Sequence, residues 1–268
     1  MLRNSKKTTL VVVPLPLITS VPDWSRHAVY RAPDHSPASV CDITKEQAVK
    51  AWADGVSDAL GDSGLDLLIS NAGVLTPGPI EVLPLDTIRR EFDVNVFGAV
   101  SVVNAFLPAL RKARGRIVQV STWTASVPLP FNGPSGASKA AMEVFADVCR
   151  AELESFGIDV VVAVAGNMRT GGPAKTAAAL ARVAETMTSE QRQLYGHAFA
   201  AFSTALNAMQ SSGLDSVAAA TRVIELAEQV PAPSRAPVGT DAEEMLRVVR
   251  DKSDAEQDAL RLQLVGLS

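Results

Sequence analysis

The stretch SGASKAAMEVFADVCRAELESFGIDVVVAV, residues Ser135–Val164, decides the fold. Ser135–Phe156 fits a helix. Gly157 is the residue type that readily takes the left-handed conformation ending one, and Ile158–Val164 is an apolar, valine-rich run of strand length. A helix delivered straight into a buried strand is the repeating unit of a parallel sheet.

The same rhythm extends outward. Towards the amino terminus, Arg116–Val120 reads as a strand. It is preceded by a helix that Asp86 caps and that runs to about Leu110, with Phe92, Val96, Val103, Phe106 and Leu110 near helical spacing. Leu65–Ile69 is a further buried strand. Thr44–Leu60 is an amphipathic helix opened by a Thr44/Gln47 capping box, with Ala48, Trp52, Val56 and Leu60 on one stripe. Thr8–Val13 suits a first buried strand and His27–Arg31 a short second one. Towards the carboxyl terminus, residues 166–212 form a long, Ala- and Thr-rich helical insertion, placed where a lid over the sheet edge is expected. Ser216–Gln229 follows as a helix, Arg235–Val238 as the last strand and Asp241–Leu264 as a helical tail. The expected architecture is α/β: one Rossmann-like domain over 1–268, a doubly wound parallel sheet with right-handed crossovers, its ligands beyond the carboxyl ends of the strands.

Composition narrows the function classes. Hydrophobic residues are 47% and charged residues 20% of 268, enough to fill one large core and keep it soluble. The net charge of −4 argues against nucleic acid, which calls for clustered Lys and Arg. Cys41 and Cys149 have no metal-binding spacing, and His27 and His35 lack ligand company, so no metal is expected and a reducing, cytoplasmic setting is the default. Arg3, Lys6 and Lys7 before the apolar run Leu10–Ile18 mimic a secretory signal, but Pro14 and Pro16 interrupt it and a buried strand is the preferred reading. No stretch approaches the roughly 20 continuous apolar residues of a membrane span.

Several motifs, in order, resemble the short-chain dehydrogenase/reductase family. Val40-Cys41-Asp42-Ile43-Thr44 looks like the segment whose aspartate faces the adenine, and Ser70-Asn71-Ala72-Gly73 looks like the N-N-A-G turn after the fourth strand. Asn95 in Val94-Asn95-Val96-Phe97-Gly98 matches the family's asparagine. Ser121-Thr122 falls at its serine pair, Lys139 is the lysine of Y-x-x-x-K, and Ala165-Gly166 with Thr170 resembles P-G-x-x-x-T. The final strand, Arg235–Gly239, looks like that of retinol- and hydroxysteroid-dehydrogenase relatives. The resemblance implies that a tyrosine moves the substrate proton, a lysine lowers its pKa, a serine holds the carbonyl and nicotinamide carries the hydride. It also implies a homodimer or homotetramer, built through the helices at Asp86–Leu110 and Ser135–Phe156.

Two departures stand out. The tyrosine position, four residues before Lys139, is Ser135, and an aliphatic hydroxyl is a far weaker acid than a phenol. The phosphate grip needs glycines at a helix N-terminus, yet none precedes Gly55. A complete first half needs two helices and a strand, about 35–40 residues at typical lengths, whereas Pro14–Ser39 supplies 26 with five prolines. The amino-terminal half is therefore expected to be reduced.

These readings lead to a definite expectation: no cofactor, and a non-redox isomerase, lyase, dehydratase or cyclase acting on a small apolar oxygenated substrate. Thr122, Ser135, Lys139, Asn95 and Ser121 are its catalytic candidates, and Asp42, Asn71, Gly73 and Thr170 its vestigial cofactor positions. The alternatives are an NAD(P)-dependent oxidoreductase with a rebuilt cofactor site, and a non-catalytic ligand-binding or interaction protein. Asn71, Gly73 and Asn95 could equally serve only their turns and helix, and Lys139 could be a solvated helical lysine. Ser135 and Lys139 have the composition of a serine/lysine hydrolase pair, but no nucleophile elbow accompanies them. Tyr195 and His197 in the insertion are titratable and read as surface groups. Trp123 suits either the core or the wall of an apolar substrate pocket.

Overall fold

The structure, a computed structural model, describes residues 9–12, 27–30, 39–169 and 172–267. In chain order the first elements are β1 (Thr9–Val12), β2 (His27–Tyr30), β3 (Ser39–Asp42), α1 (Glu46–Leu60), β4 (Leu67–Ser70), α2 (Leu85–Phe92), α3 (Ala99–Ala113) and β5 (Arg116–Thr122). Then come α4 (Gly133–Leu153), β6 (Asp159–Ala165), β7 (Met168–Arg169), α5 (Gly172–Thr186), α6 (Ser189–Ser211) and β8 (Leu214–Asp215). The chain closes with α7 (Ser216–Glu228), β9 (Arg235–Val238), α8 (Thr240–Asp251) and α9 (Asp254–Leu264).

Five strands form one parallel sheet in the order β1-β4-β5-β6-β9. Alternate residues of each strand face opposite sides, and both sides are apolar. On one side Leu68, Ile117, Val160 and Val162 meet Val49, Trp52 and Val56 of α1 and Val102, Phe106 and Leu110 of α3. On the other, Leu67, Ile69, Val118, Val120 and Val161 meet Ala219, Leu226 and Ala227 of α7. This double cover is the expected α/β Rossmann-like architecture. Phe106, fully buried edge-on to Trp52 at 5.0 Å, is one of its anchors, and burial of such a side chain stabilises by roughly 1.5–3 kcal/mol.

Among the described residues of the amino-terminal half, β1 and β4 are the strands that join this sheet. β2 and β3 pair antiparallel with each other, His27 opposite Asp42, instead of extending the parallel order. The expected capping box at Thr44 does not form. Thr44 Oγ1 donates to Asp42 Oδ1 at 2.7 Å, and the cap of α1 is Lys45, without a side-chain bond. The helix expected from Asp86 is bent in phase by a π-helical stretch, Asp93–Gly98, between α2 and α3. The run Leu85–Ala113 is, by length and composition, apolar enough to cross a membrane, contrary to the expectation from continuous apolar runs. Its apolar stripe is core, with Val102, Phe106 and Leu110 fully buried. Residues 166–212 hold α5 and α6, the second opened by a Thr188/Gln191 capping box, and a Ser253/Glu256 box divides the carboxyl-terminal tail into α8 and α9.

Candidate active site

The carboxyl end of β4 runs into Asn71-Ala72-Gly73, and the backbone there passes close to two side chains. A Cβ on Gly73 would stand 3.3 Å from both Asn95 Oδ1 and Lys139 Nζ. Glycine therefore leaves the space beside that ammonium open, as a ligand approaching the strand end requires.

Asn95 is buried in the π-helical stretch, a feature often found at functional sites. Its Oδ1 accepts from Val74 N at 2.8 Å, and its Nδ2 donates to Val74 O and to Ser138 Oγ, both at 2.9 Å. These bonds clamp the turn after β4 to α4. Ser138 Oγ donates in turn to Ser135 O at 3.1 Å.

Lys139 lies one helical turn after Ser135, on the same face of α4. Its Nζ donates to Val120 O of β5 at 3.1 Å. Burial pushes its pKa down to about 8, while Glu91 and Glu143 pull it upward. Glu91, fully buried in α2, accepts from Thr76 N at 2.9 Å through Oε2, and its Oε1 lies 3.5 Å from Asn95 Nδ2. Burial pushes its carboxyl up to about 8, against the pull of its bonds from Thr76 and of the Lys139 charge.

The structure separates the two hydroxyls that adjoin in sequence. Thr122, half-buried at the end of β5, accepts long bonds of 3.4 Å from Thr124 N and Oγ1 and remains at the sheet edge. Ser121 is buried and donates to Glu143 Oε1 at 2.5 Å. Glu143 is itself paired with Arg235, so Ser121 belongs to an ion-pair network. Ser135 is buried in the first turn of α4. Asp42 holds Thr44 through bonds from its N and Oγ1. Thr170 lies outside the described residues.

The motifs do not point to Glu91 or to Asp241. Glu91 precedes Asn95 by one helical turn, and that spacing was its only signal. Asp241 staples the loop after β6: Asn167 N and Nδ2 donate to its Oδ2 at 2.7 and 3.0 Å, and Ala242 N donates to its Oδ1 at 2.9 Å. A Cβ on Gly166 would fall 1.8 Å from Asp241 Oδ1, so only glycine fits. Beyond this loop opens a cleft of about 1270 Å³, lined by Trp123, Asn167, Arg169, Leu214, Asp241 and Met245 among others. A second cavity, about 640 Å³, lies between α5 and α6 and is lined by His197, and neither it nor the larger cleft is lined by Thr122, Ser135 or Lys139. Tyr195 donates its hydroxyl to Glu81, tying α6 to the loop before α2, and this bond raises the Tyr195 pKa. Among the described residues no group of three or more His, Cys, Asp or Glu could hold a metal.

Residues 28–181 match the model of the short chain dehydrogenase family. Mouse estradiol 17-beta-dehydrogenase 2 is 38% identical over 130 residues, 48% of this chain and 34% of that protein. Mouse retinol dehydrogenase 16 is 34% identical over 171 residues, 63% of this chain and 54% of that protein. The chain thus spans between a third and about half of the length of these curated relatives. In fold it is similar to a short-chain dehydrogenase from Streptomyces avermitilis, with a TM-score of 0.65 and 22% identity, covering 87% of this chain and 79% of the other. It is also similar to an NADP complex of a short chain dehydrogenase from Burkholderia cenocepacia J2315, with a TM-score of 0.61, 24% identity and coverage of 83% and 78%. NAD+-bound xylitol dehydrogenase gives a TM-score of 0.59, 23% identity and coverage of 75% and 77%.

These findings correct the expectation of a cofactor-independent isomerase, lyase, dehydratase or cyclase. The relatives are named dehydrogenases, and structures of the same fold hold NADP or NAD+. The physical reason is that the residue four before Lys139 is one group among several, and Lys139 itself stands on Val120 O near the carboxyl end of β5. No glycine precedes Gly55, but much of the Pro14–Ser39 segment, residues 14–26 and 31–38, lies outside those described. With over half of its length matching the family model, the chain belongs to the short-chain dehydrogenase family.

Proposed function

We propose that this protein is an NAD(P)-dependent oxidoreductase that interconverts an alcohol and its carbonyl form on a bulky apolar substrate, with proton handling built on Lys139 where relatives of the resemblance use a tyrosine. The observation that carries the reading is the Lys139 ammonium, held by Val120 O at the carboxyl edge of β5 beside the side-chain-free Gly73. Of its three protons, one goes to that carbonyl, which leaves donors for a ligand hydroxyl or a developing oxyanion. When bound, the nicotinamide supplies or accepts the hydride.

The chain's own residues divide the remaining work. Lys139 holds charge next to the substrate oxygen, Thr122 offers a hydroxyl from the end of β5, and Ser135 leaves room for the substrate in the first turn of α4. Trp123 lines the large cleft and suits an apolar substrate, in keeping with relatives named for estradiol and retinol. The reading includes a phosphate grip rebuilt without the glycine-rich turn, since no glycine precedes Gly55, and α5–α6 acting as a cover. It also includes pairing of two copies, supported by Phe97, Val144 and Val148, which are exposed between α2 and α3 and on α4.

The test is a panel of hydroxysteroids and retinols with NAD+ and NADP+, followed by nicotinamide absorbance. Turnover that disappears in Lys139→Met is expected. Equal turnover in Lys139→Met would remove the role given to the lysine, and no turnover with any pairing would remove the substrate class.

A further inference from the structure

Behind the site lies a buried polar cluster built around one segment of backbone, residues 73–76. Asn95 clamps Val74 through both its N and its O, and Glu91 accepts from Thr76 N. A Cβ on Gly73 would stand 3.3 Å from both Asn95 Oδ1 and Lys139 Nζ, and Ser138, the chain neighbour of Lys139, accepts from Asn95. Glu91 is fully buried, and among the described residues no cation pairs directly with it. Burying a carboxyl without a direct counter-ion disfavours its charged form, so the state of Glu91 depends on the few charges that reach it.

We propose that Glu91 is a positioning residue for Lys139: fixed on the same 73–76 segment, its carboxyl sets how much positive charge the ammonium presents to the substrate oxygen. The inference rests on the dehydrogenase reading for the purpose of that charge. The charged groups acting on the pair are few. The Lys139 charge acts on Glu91, and Lys139 feels Glu91 from α2 and Glu143 from its own helix. Burial brings the two groups to similar titration ranges, each about 8, so protons leave them as a coupled pair. Below that range Glu91 is neutral and only Glu143 offsets the ammonium. As Glu91 ionises, its charge opposes loss of the lysine proton.

The test titrates the ligand-free protein by NMR, following the side-chain nitrogen of Lys139 and the carboxyl carbon of Glu91. In the wild type the Glu91 carboxyl should titrate far above ordinary carboxylates. In Glu91→Gln, which keeps the acceptor for Thr76 N, the Lys139 midpoint should fall by about one pH unit, the low end of what removing a neighbouring opposite charge gives. A purely structural Glu91 would change stability but leave that midpoint alone. An unchanged Lys139 midpoint, or a Glu91 carboxyl titrating in the ordinary carboxylate range, overturns the proposal; the second readout needs no variant and survives a folding failure of Glu91→Gln. Dinucleotide binding is measured separately on the same samples. Uncoupled titration with intact binding sinks this inference alone, whereas coupled titration in a protein that binds neither NAD+ nor NADP+ sinks the dehydrogenase reading and the role of the charge with it.

Discussion

Glu143 and Glu91 are both buried carboxyl groups whose charge reaches Lys139, yet they are held in opposite ways. Glu143, in the middle of α4, is gripped by the Arg235 guanidinium and by the Ser121 hydroxyl, and Arg235 reaches on to Asp147 at 3.5 Å. Glu91, in α2, meets the Thr76 amide at 2.9 Å and, at 3.5 Å, the Asn95 side-chain amide. The difference teaches how a fold assigns work to buried charge. A carboxylate closed by a guanidinium joins β5, α4 and β9 and is a structural tie. One supported by neutral donors, with an ammonium nearby, is left able to exchange its proton.

The largest expected effect tests the structural member of this comparison. Arg235→Met leaves Glu143 buried without its cation and should cost about 3 kcal/mol in denaturant unfolding. Adding Glu143→Leu should recover part of that loss, because the uncompensated charge is then gone. Equal losses in the single and double variants would show that packing, not charge, holds this edge.

Asp241 sharpens the comparison from a third position, since among the described residues it accepts from the N–H groups of Asn167 and Ala242, but as the staple of the loop after β6. Gly166→Ala forces a methyl to within 1.8 Å of Asp241 Oδ1, so the staple must break. A loss of about 2 kcal/mol is expected, and less than additive loss when Gly166→Ala is combined with Asp241→Ala.

The smallest effect belongs to Glu91 and depends on pH. Its folded pKa, about 8, lies above the ordinary 4.5, so the folded state binds the extra proton. Stability is full below about 4.5 and falls as pH rises towards 8. Lys139, lowered from 10.5 to about 8, has the opposite sign and relieves its burial cost between those values. Unfolding measured from pH 5 to 8 should therefore show a decline that Glu91→Gln flattens, by roughly 1 kcal/mol after relaxation. Parallel curves for the two proteins would contradict the contrast drawn with Glu143.

Much of the sheet was legible because buried strands and helix stops leave strong local signals. Arg235–Val238 is the last strand, as expected, and Gly157 ends the α4 region with a φ of +72°. The phase of the helix at Asn95 was not legible, since a π-helical turn leaves the apolar spacing nearly intact. Ser121 and Thr122 appeared as one pair in sequence, although period-two alternation sends neighbours in a strand to opposite faces. Glu91 was invisible for a different reason: a glutamate on an amphipathic helix ordinarily marks the solvent face, and only the fold of the 73–76 segment over α2 buries it. Asp241 needed the meeting of the loops after β6 and β9, 74 residues apart in sequence for the bond to Asn167. Ser135 four residues before Lys139 is legible in the sequence, but one side chain does not fix the chemistry of a fold shared with dehydrogenases.

The central claim, that this chain works with a nicotinamide dinucleotide, is tested most directly by calorimetric titration of the folded protein with NAD+ and NADP+. Saturable one-site binding of at least one of them is predicted, weakened when Lys139 is replaced by Met. Absence of binding by either at millimolar concentration, in protein whose folding is verified on the same sample, would contradict it.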